Sequence, residues 1–480
     1  MKNRQDMRHT GWLTAILLLI CSVTVPSAWA AKISFNEAWQ EVLRGHDSLA
    51  AGRANIERTQ HLQKAARDLY FPKVDLAARY TRLDQAVELS PEEILGSMPA
   101  GDTVGRLLAG LGSTYGLSPA QINAGLTSRI ADRDMRTSSV TGLWPIYAGG
   151  RIDAAQEIAK NQVDEARFQL DMDRQKQFET LAQYYFGIVL AQEVLETKAK
   201  VKAALQKHRD HAVLLERQGQ TAHVERLQAE ASLAKAGVDE TKARHDLEIG
   251  RAALHRMLKL QEQPEPGNHL FINAGLPPLA TFLDKTLAGH PGLGVYEAKG
   301  RQAEGLAKVE KGKYLPEVAL FGSYNLYEDD NLAAELAPDW LVGVGISVPL
   351  VDRSGRSGNL GAARSMVRQI GSLRAQARQD LSLLVEKTYR QAQQAVEEYT
   401  GLGSSLTLAE ENVRLREKAF DQGLSTSLDV VDSRLYLAGI QTQRSAASYT
   451  YVLSLARLLA MSGMNDSFST YQHEQAIEVK

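Results

Sequence analysis

His208 and His211 stand three residues apart, a spacing that puts both imidazoles on one face of a helix, where they could share a metal ion. No third ligand stands near them in the sequence, so neither a metal centre nor a cofactor is expected. Gly343-Val344-Gly345 reads as a fragment of a nucleotide-binding fingerprint, but it falls inside a strand pattern and no helix opens after it. The only cysteine, Cys21, lies in the first thirty residues, which leaves the rest of the chain without a thiol nucleophile or a disulfide framework. No enzyme is expected from these residues. One further cluster is acidic: Glu410, Glu411, Glu417 and Asp421 precede Gly423 and fall within about 20 Å of it along a helix. Arg414, Arg416 and Lys418 are interleaved with them, so the plainest reading is a solvated helix face with paired charges.

The totals describe a polar chain. Charged residues make up 23% and the mean hydropathy is -0.27, which excludes a bundle of apolar membrane helices. The first thirty residues differ. Lys2, Arg4 and Arg8 lead into an apolar run that ends at Ala28-Trp29-Ala30, the pattern of a cleaved secretory signal. Ile20 before Cys21 argues against lipid attachment there. Without residues 1–30 the balance is 52 basic against 56 acidic residues, and no nucleic-acid partner is expected. No later window holds eighteen consecutive apolar residues.

The chain then says much the same thing twice. "YFPKVDLAARY" from Tyr70 is echoed 244 residues later by "YLPEVALFGSY" from Tyr314, and His46 and His290 keep the same offset. Further on, Pro145/Pro349 and Gly219/Gly423 are both 204 apart. The change of offset locates an insertion between Pro72 and Pro145. Two copies of one unit follow, at 31–270 and 271–465, with a polar tail at 466–480.

Each unit opens with a helix, 34–70 and 280–313. Ser34 and Glu37 supply a capping box for the first, and the proline after the aromatic stops both. The apolar period then switches from 3.6 to 2, predicting strands at about 73–84, 136–147, 317–328 and 339–349. Next come long helices over 150–218 and 358–422, each about 100 Å. After Gly219 and Gly423 shorter helices return over 222–259 and 427–461, with Thr221 and either Ser425 or Thr426 as caps; Asp429 completes a capping box with Thr426. An opening helix and a returning helix placed end to end match one long helix, which predicts a layered cylinder with strands at one end.

Four strands with an apolar face cannot close a barrel alone, and an open edge is not tolerated in lipid. Three chains would supply twelve strands. Aromatics fall where a bilayer interface needs them: Tyr70, Phe71, Trp144, Tyr147 and Tyr314 at the helix end of the strands, Tyr80, Tyr327 and Trp340 at the far end.

In this order, and twice over, "ISFNEAWQEVLRGHDSL", "YFP" and "YLP", "WPIYAGGR" and "QGLSTSLDVVDS" resemble the TolC-like outer membrane efflux protein family over essentially the whole chain after residue 30. The resemblance implies a mainly α fold with a β-barrel portion: a homotrimeric channel-tunnel whose 12-stranded outer membrane barrel stands above a long periplasmic α-barrel. It implies a duct of a tripartite efflux pump or type I secretion system, docked on a periplasmic adaptor that serves an inner membrane pump. On this pattern Gly219, Gln220, Thr221, Gly423, Leu424 and Ser425 would meet the adaptor, or serve only to make the turns. Glu410, Glu411, Glu417 and Asp421 would ring a periplasmic gate, or remain a solvated face. The insertion at about 88–134, with Ser90-Pro91 and Ser118-Pro119 as helix starts, departs from the family's short surface loop. It would fold over the outer mouth or decorate the surface. A periplasmic adaptor would need compact β-domains instead, and an adhesive trimeric coiled-coil surface protein would gather its strands at the C-terminus.

Overall fold

The computed structural model describes residues 32–329, 334–335, 337–351, 353–473 and 477–478, so the expected signal at 1–30 lies outside the described residues. The first unit opens with β1 (Lys32–Ile33) and α1 (Phe35–Gly45), which begins at a complete Ser34/Glu37 capping box. The chain then starts a new helix, α2 (Asp47–Arg67). The single opening helix expected from 34 to 70 is thus broken at His46, whose Nδ1 accepts a hydrogen bond from the Ser48 amide at 3.3 Å.

Pro72 ends the helical stretch and β2 (Lys73–Arg82) follows. The insertion contains β3 (Val87–Leu89), α3 (Pro91–Ser97), α4 (Gly101–Thr114), α5 (Pro119–Leu126) and β4 (Ser128–Ala131). Strand β5 (Asp134–Ala148) returns to Gly149 and Gly150, at φ 62° and 74°. A side chain on Gly149 would stand 2.4 Å from the Gly312 carbonyl oxygen, so this crossing from strand to helix requires glycine.

Helix α6 (Arg151–Arg217) has 67 residues, about 100 Å, and α7 (His223–Leu258) returns along its distal half. Two short strands, β6 (Glu265–Pro266) and β7 (Phe271–Ile272), bridge to the second unit, α8 (Leu279–Gly289) and α9 (Pro291–Gly312). The expected helix 280–313 is broken in the same way: His290 Nδ1 accepts from the Gly292 amide at 3.0 Å. The rest is β8 (Glu317–Glu328), β9 (Trp340–Ser347), α10 (Arg356–Asp421, starting two residues before the expected Gly358), α11 (Ser427–Met461), α12 (Phe468–His473) and β10 (Ile477–Glu478).

Four helices lie side by side at each level. Towards the sheet α6 packs on α2 and α9, and α9 on α10; towards the turns α6 packs on α7 and α11, and α11 on α10. Where the two levels meet sits the main core. Phe35, Phe178, Phe186, Phe271 and Phe468 form one cluster of rings, Phe35 and Phe468 at 4.7 Å. The described part of the expected polar tail, 466–473 and 477–478, is therefore docked: Phe468 is buried, and β10 pairs antiparallel with β7.

The four long strands form one antiparallel sheet in the order β2-β5-β8-β9, with β2 and β9 at its edges. The register fixes its two faces. Leu76, Val140, Tyr324 and Trp340 form one cross-strand row, and Trp144, Leu320 and Val344 another on the same face. The opposite face carries Asp75, Thr141, Ser323 and Leu341 in one row, Ala77, Ser139 and Asn325 in the next, and Lys73, Leu143 and Phe321 on the other side. Pro145 sits beside the bulge in β5, the place where a strand tolerates a missing N–H. No helix among the described residues is long and apolar enough to cross a membrane.

Tyr185 belongs to the ring cluster where the two levels of helices meet and ties it to β1 and residues 267–268. Its hydroxyl is 2.7 Å from the Ile33 carbonyl and from Asn268 Oδ1, and it accepts from the Gly267 amide at 3.0 Å. Burial pushes its pKa up to about 12. Tyr185→Phe leaves these polar groups unsatisfied and should cost about 1–3 kcal/mol. A shift of the thermal unfolding midpoint measures the loss, and an unchanged midpoint would remove this anchor from the account.

Candidate functional site

The two helix turns come together at the end remote from the sheet. Gly219 and Gly423 adopt φ 70° and 68°, and each turn is closed by the same bond: the Gln220 amide to the Leu215 carbonyl, and the Leu424 amide to the Ala419 carbonyl, both 2.8 Å. Between them lies a groove of about 800 Å³ lined from one turn by Gln220, Thr221 and Glu225 and from the other by Gly423, Leu424 and Ser425. Leu424 is 78% exposed. Five of the six turn residues singled out in the sequence thus line one groove, and Gly219 makes the turn beside it.

Capping differs between the turns. Thr426 caps α11, with Asp429 completing the box, and Ser425 Oγ donates to the same carboxylate at 3.0 Å. That network holds the Asp429 carboxyl below the usual carboxylate range, the backbone bond from Thr426 being the largest cause. Thr221 caps nothing: Ala222 occupies the N-cap of α7 and has no side-chain bond to give. The physical reason is register, since the helix begins one residue later than Thr221 requires. Glu216 ties this turn instead, bonded to His223 at 2.6 Å and to Arg226 at 2.8 Å.

The acidic cluster is mostly paired. Glu411 meets Arg414, Glu417 meets Arg434, and Asp421 meets His211 at 3.2 Å. Glu410 is exposed and makes no ion pair among the described residues. His208 and His211 do not face a common ligand. Phe420 packs against both rings, at 4.6 and 6.1 Å, and His208 Nε2 lies 3.0 Å from Ser427 Oγ. Glu225 accepts the Ser427 amide at 2.6 Å, joining the two turns from the other side. Sequence reading missed this latch; its one signal was that His208, Phe420 and Ser427 all lie within three helical turns of the paired glycines. Among the described residues no group of three or more His, Cys, Asp or Glu side chains is placed to hold a metal ion.

At the sheet end, Trp144 Nε1 donates to the Tyr70 carbonyl at 2.8 Å and the Tyr70 hydroxyl donates to Asp153 at 2.7 Å. Arg356 lies over the Tyr314 ring at 4.7 Å, while Phe71 and Tyr147 are exposed. These five aromatics form one band where the helices meet the sheet; Trp340 stands at the opposite end of its strand.

Residues 38–258 and 282–464 match the family model described as outer membrane efflux protein. No curated protein matches the sequence. Among solved structures the fold is similar to CusC, described in relation to folding and transmembrane channel formation, at 12% identity over 90% of this chain and 92% of that one, with a TM-score of 0.72. It is similar to the outer membrane protein VceC of Vibrio cholerae, at 16% identity over 90% of this chain and 96% of that one and a TM-score of 0.70. The open state of the MtrE outer membrane channel of Neisseria gonorrhoeae gives 17% identity, 90% and 89% coverage and a TM-score of 0.65. These likenesses concern the fold, the channel-tunnel architecture of TolC-like proteins.

His208 generates a pH dependence confined to the turns. Burial, and then the neighbouring His211, hold its pKa below the ordinary 6.5, against the pull of Glu417 and Glu225. A histidine that folds neutral contributes stability that is full above its unfolded pKa and is lost as pH falls through the lower folded value. Hydrogen-exchange protection at residues 420–430 should therefore hold above about pH 6.5 and drop as the pH falls below it. In His208→Gln the drop should flatten; an equal drop in that variant would assign the effect to other groups.

Proposed function

The chain belongs to the outer membrane efflux protein family, and from that premise we propose that it is a passive export duct, three copies of which close a 12-stranded barrel in the outer membrane. The observation that carries this reading is the sheet: among the described residues its apolar face has no cover and its two edges have no partner strand, while the opposite face mixes Asp75, Thr141, Ser139, Ser323 and Asn325 with Leu143, Phe321 and Leu341. Threefold repetition supplies a neighbour for each edge, turns the apolar face to lipid and the opposite face to a water-filled lumen. The aromatic band of Tyr70, Phe71, Trp144, Tyr147 and Tyr314 marks the periplasmic interface, with Trp340 on the outer side. The long helices then extend about 100 Å into the periplasm. Such a duct performs no bond chemistry. It serves a tripartite efflux pump or a type I secretion system.

The groove between the two turns is the docking surface for a periplasmic adaptor linked to an inner membrane pump, with Leu424 as its apolar anchor. A photo-reactive residue at Leu424 should cross-link to the adaptor in whole cells. If the folded channel gives no such product, the turns are only turns. At the gate the pairing of Glu411, Glu417 and Asp421 leaves Glu410 as the carboxylate best able to form a ring that favours cations.

Conductance of the purified protein in a planar bilayer tests the duct directly. A cation-selective pore is expected, with selectivity reduced in Glu410→Gln. Unchanged selectivity would move the filter elsewhere, and a protein that forms no pore would contradict the duct itself.

A further inference from the structure

Between β2 and β5, at the sheet end remote from the long helices, the segment from Val87 to Ala131 folds as a unit of its own. Strands β3 and β4 pair at its base, and α3 and α5 each open at a complete Ser-Pro-led capping box. Helix α4 packs between them at close range. A side-chain carbon on Gly101 would fall 1.6 Å from the Leu95 carbonyl oxygen, and one on Gly112 would fall 2.0 Å from Ile122 Cδ1. This is specific packing rather than a loop laid on a surface.

The unit presents an apolar ridge and, beside it, a groove of mixed lining. Val104, Leu107, Leu111 and Tyr115 follow one another at spacings of three and four, so they form a single ridge along α4; Leu107 is 65% and Tyr115 80% exposed. On the neighbouring face a groove of about 970 Å³ opens between α3, α4 and α5, with Leu95, Leu108, Ala120 and Ile122 in its walls and Glu92, Asp102 and Arg106 also lining it. From Ile94 to Ser128 only Asp102 and Arg106 are charged.

We propose that the ridge of one copy seats in the groove of the next around the threefold axis, so that three insertions form an apolar collar at the outer mouth. The inference rests on the trimeric reading. A threefold interface is heterologous and needs two different, complementary surfaces on each copy, which a ridge and a groove on one unit provide. The position agrees: the insertion leaves the sheet from β2, an edge strand, and an edge strand faces the neighbouring copy in a closed barrel. Charge argues against a lipid surface as the occupant. Membrane-lying helices carry Lys and Arg on their polar face. Here no lysine occurs between Lys73 and Lys160, and the first turn of α3 carries Glu92 and Glu93.

The test is oxidative cross-linking of Leu107→Cys/Ala120→Cys in intact outer membranes, since the chain beyond the signal has no other cysteine. Ridge-in-groove contact joins three copies in a ring, so most of the protein should run as a covalent trimer. Ser113→Cys/Ala120→Cys, with its first cysteine on the opposite side of α4, should give little. A product that runs only as monomer from particles that light scattering shows to be trimeric overturns the collar and spares the trimer. Dimers from Leu107→Cys alone would mean ridge meeting ridge and overturn the assignment. Monomeric particles would remove the parent reading and the collar together. A nitroxide at Leu107 gives a second readout: shielding from both oxygen and a polar nickel reagent is expected, whereas strong collision with oxygen alone would place the ridge in lipid and refute the proposal.

Discussion

A four-stranded antiparallel sheet with one apolar face and two free edges is the constraint on which the rest of the molecule depends. In the row Leu76-Val140-Tyr324-Trp340, Leu76, Tyr324 and Trp340 are all more than half exposed, the mark of a surface that meets a partner or a membrane. Unpaired backbone groups at β2 and β9 add a second demand, since in hydrocarbon each would cost several kcal/mol. The proposed closure with other copies inside a bilayer meets both demands, and on that reading the long helices continue the wall away from the membrane.

The aromatic belt half-way along that wall keeps the two levels of helices in register. α1, α6, β7, α11 and α12 all bring rings to it, so that Phe35 and Phe468, far apart in sequence, meet there. Beyond the belt towards the turns, buried side chains thin out to small clusters around Leu205 and Phe420. Stability there rests on caps, ion pairs and the His208–Phe420–Ser427 latch. A rigid middle and a lightly held end fit the proposed duct, whose opening would lie at the turns.

Much of this was legible in the sequence because it repeats and because period 2 and period 3.6 are distinct. The strands beginning at Lys73 and Glu317, the glycine turns and the Thr426 cap all write their conformation in local residue types. The breaks at His46 and His290 were not legible, although the matching histidines were visible. Each acts as an N-cap through Nδ1, a role that composition assigns to Ser, Thr, Asp or Asn. Burial lowers the pKa of His290, which keeps that nitrogen free to accept. The C-terminal segment read as polar because a single buried residue, Phe468, decides its docking. At the turns, the pairing of Glu417 with Arg434 and of Asp421 with His211 joins different helices, so no spacing within one helix could announce it.

Closure between copies is the central claim, and cysteine scanning along the sheet edges tests it most directly. Positions from Lys73 to Arg82 on β2 would be paired in turn with a cysteine at Gly345 on β9 and oxidised in the membrane. Within one chain these strands lie about 14 Å apart across the sheet, beyond the reach of a disulfide. One register should yield covalent trimers in high proportion. If every pairing leaves the membrane-embedded protein monomeric, its edges do not meet and the barrel is not built this way.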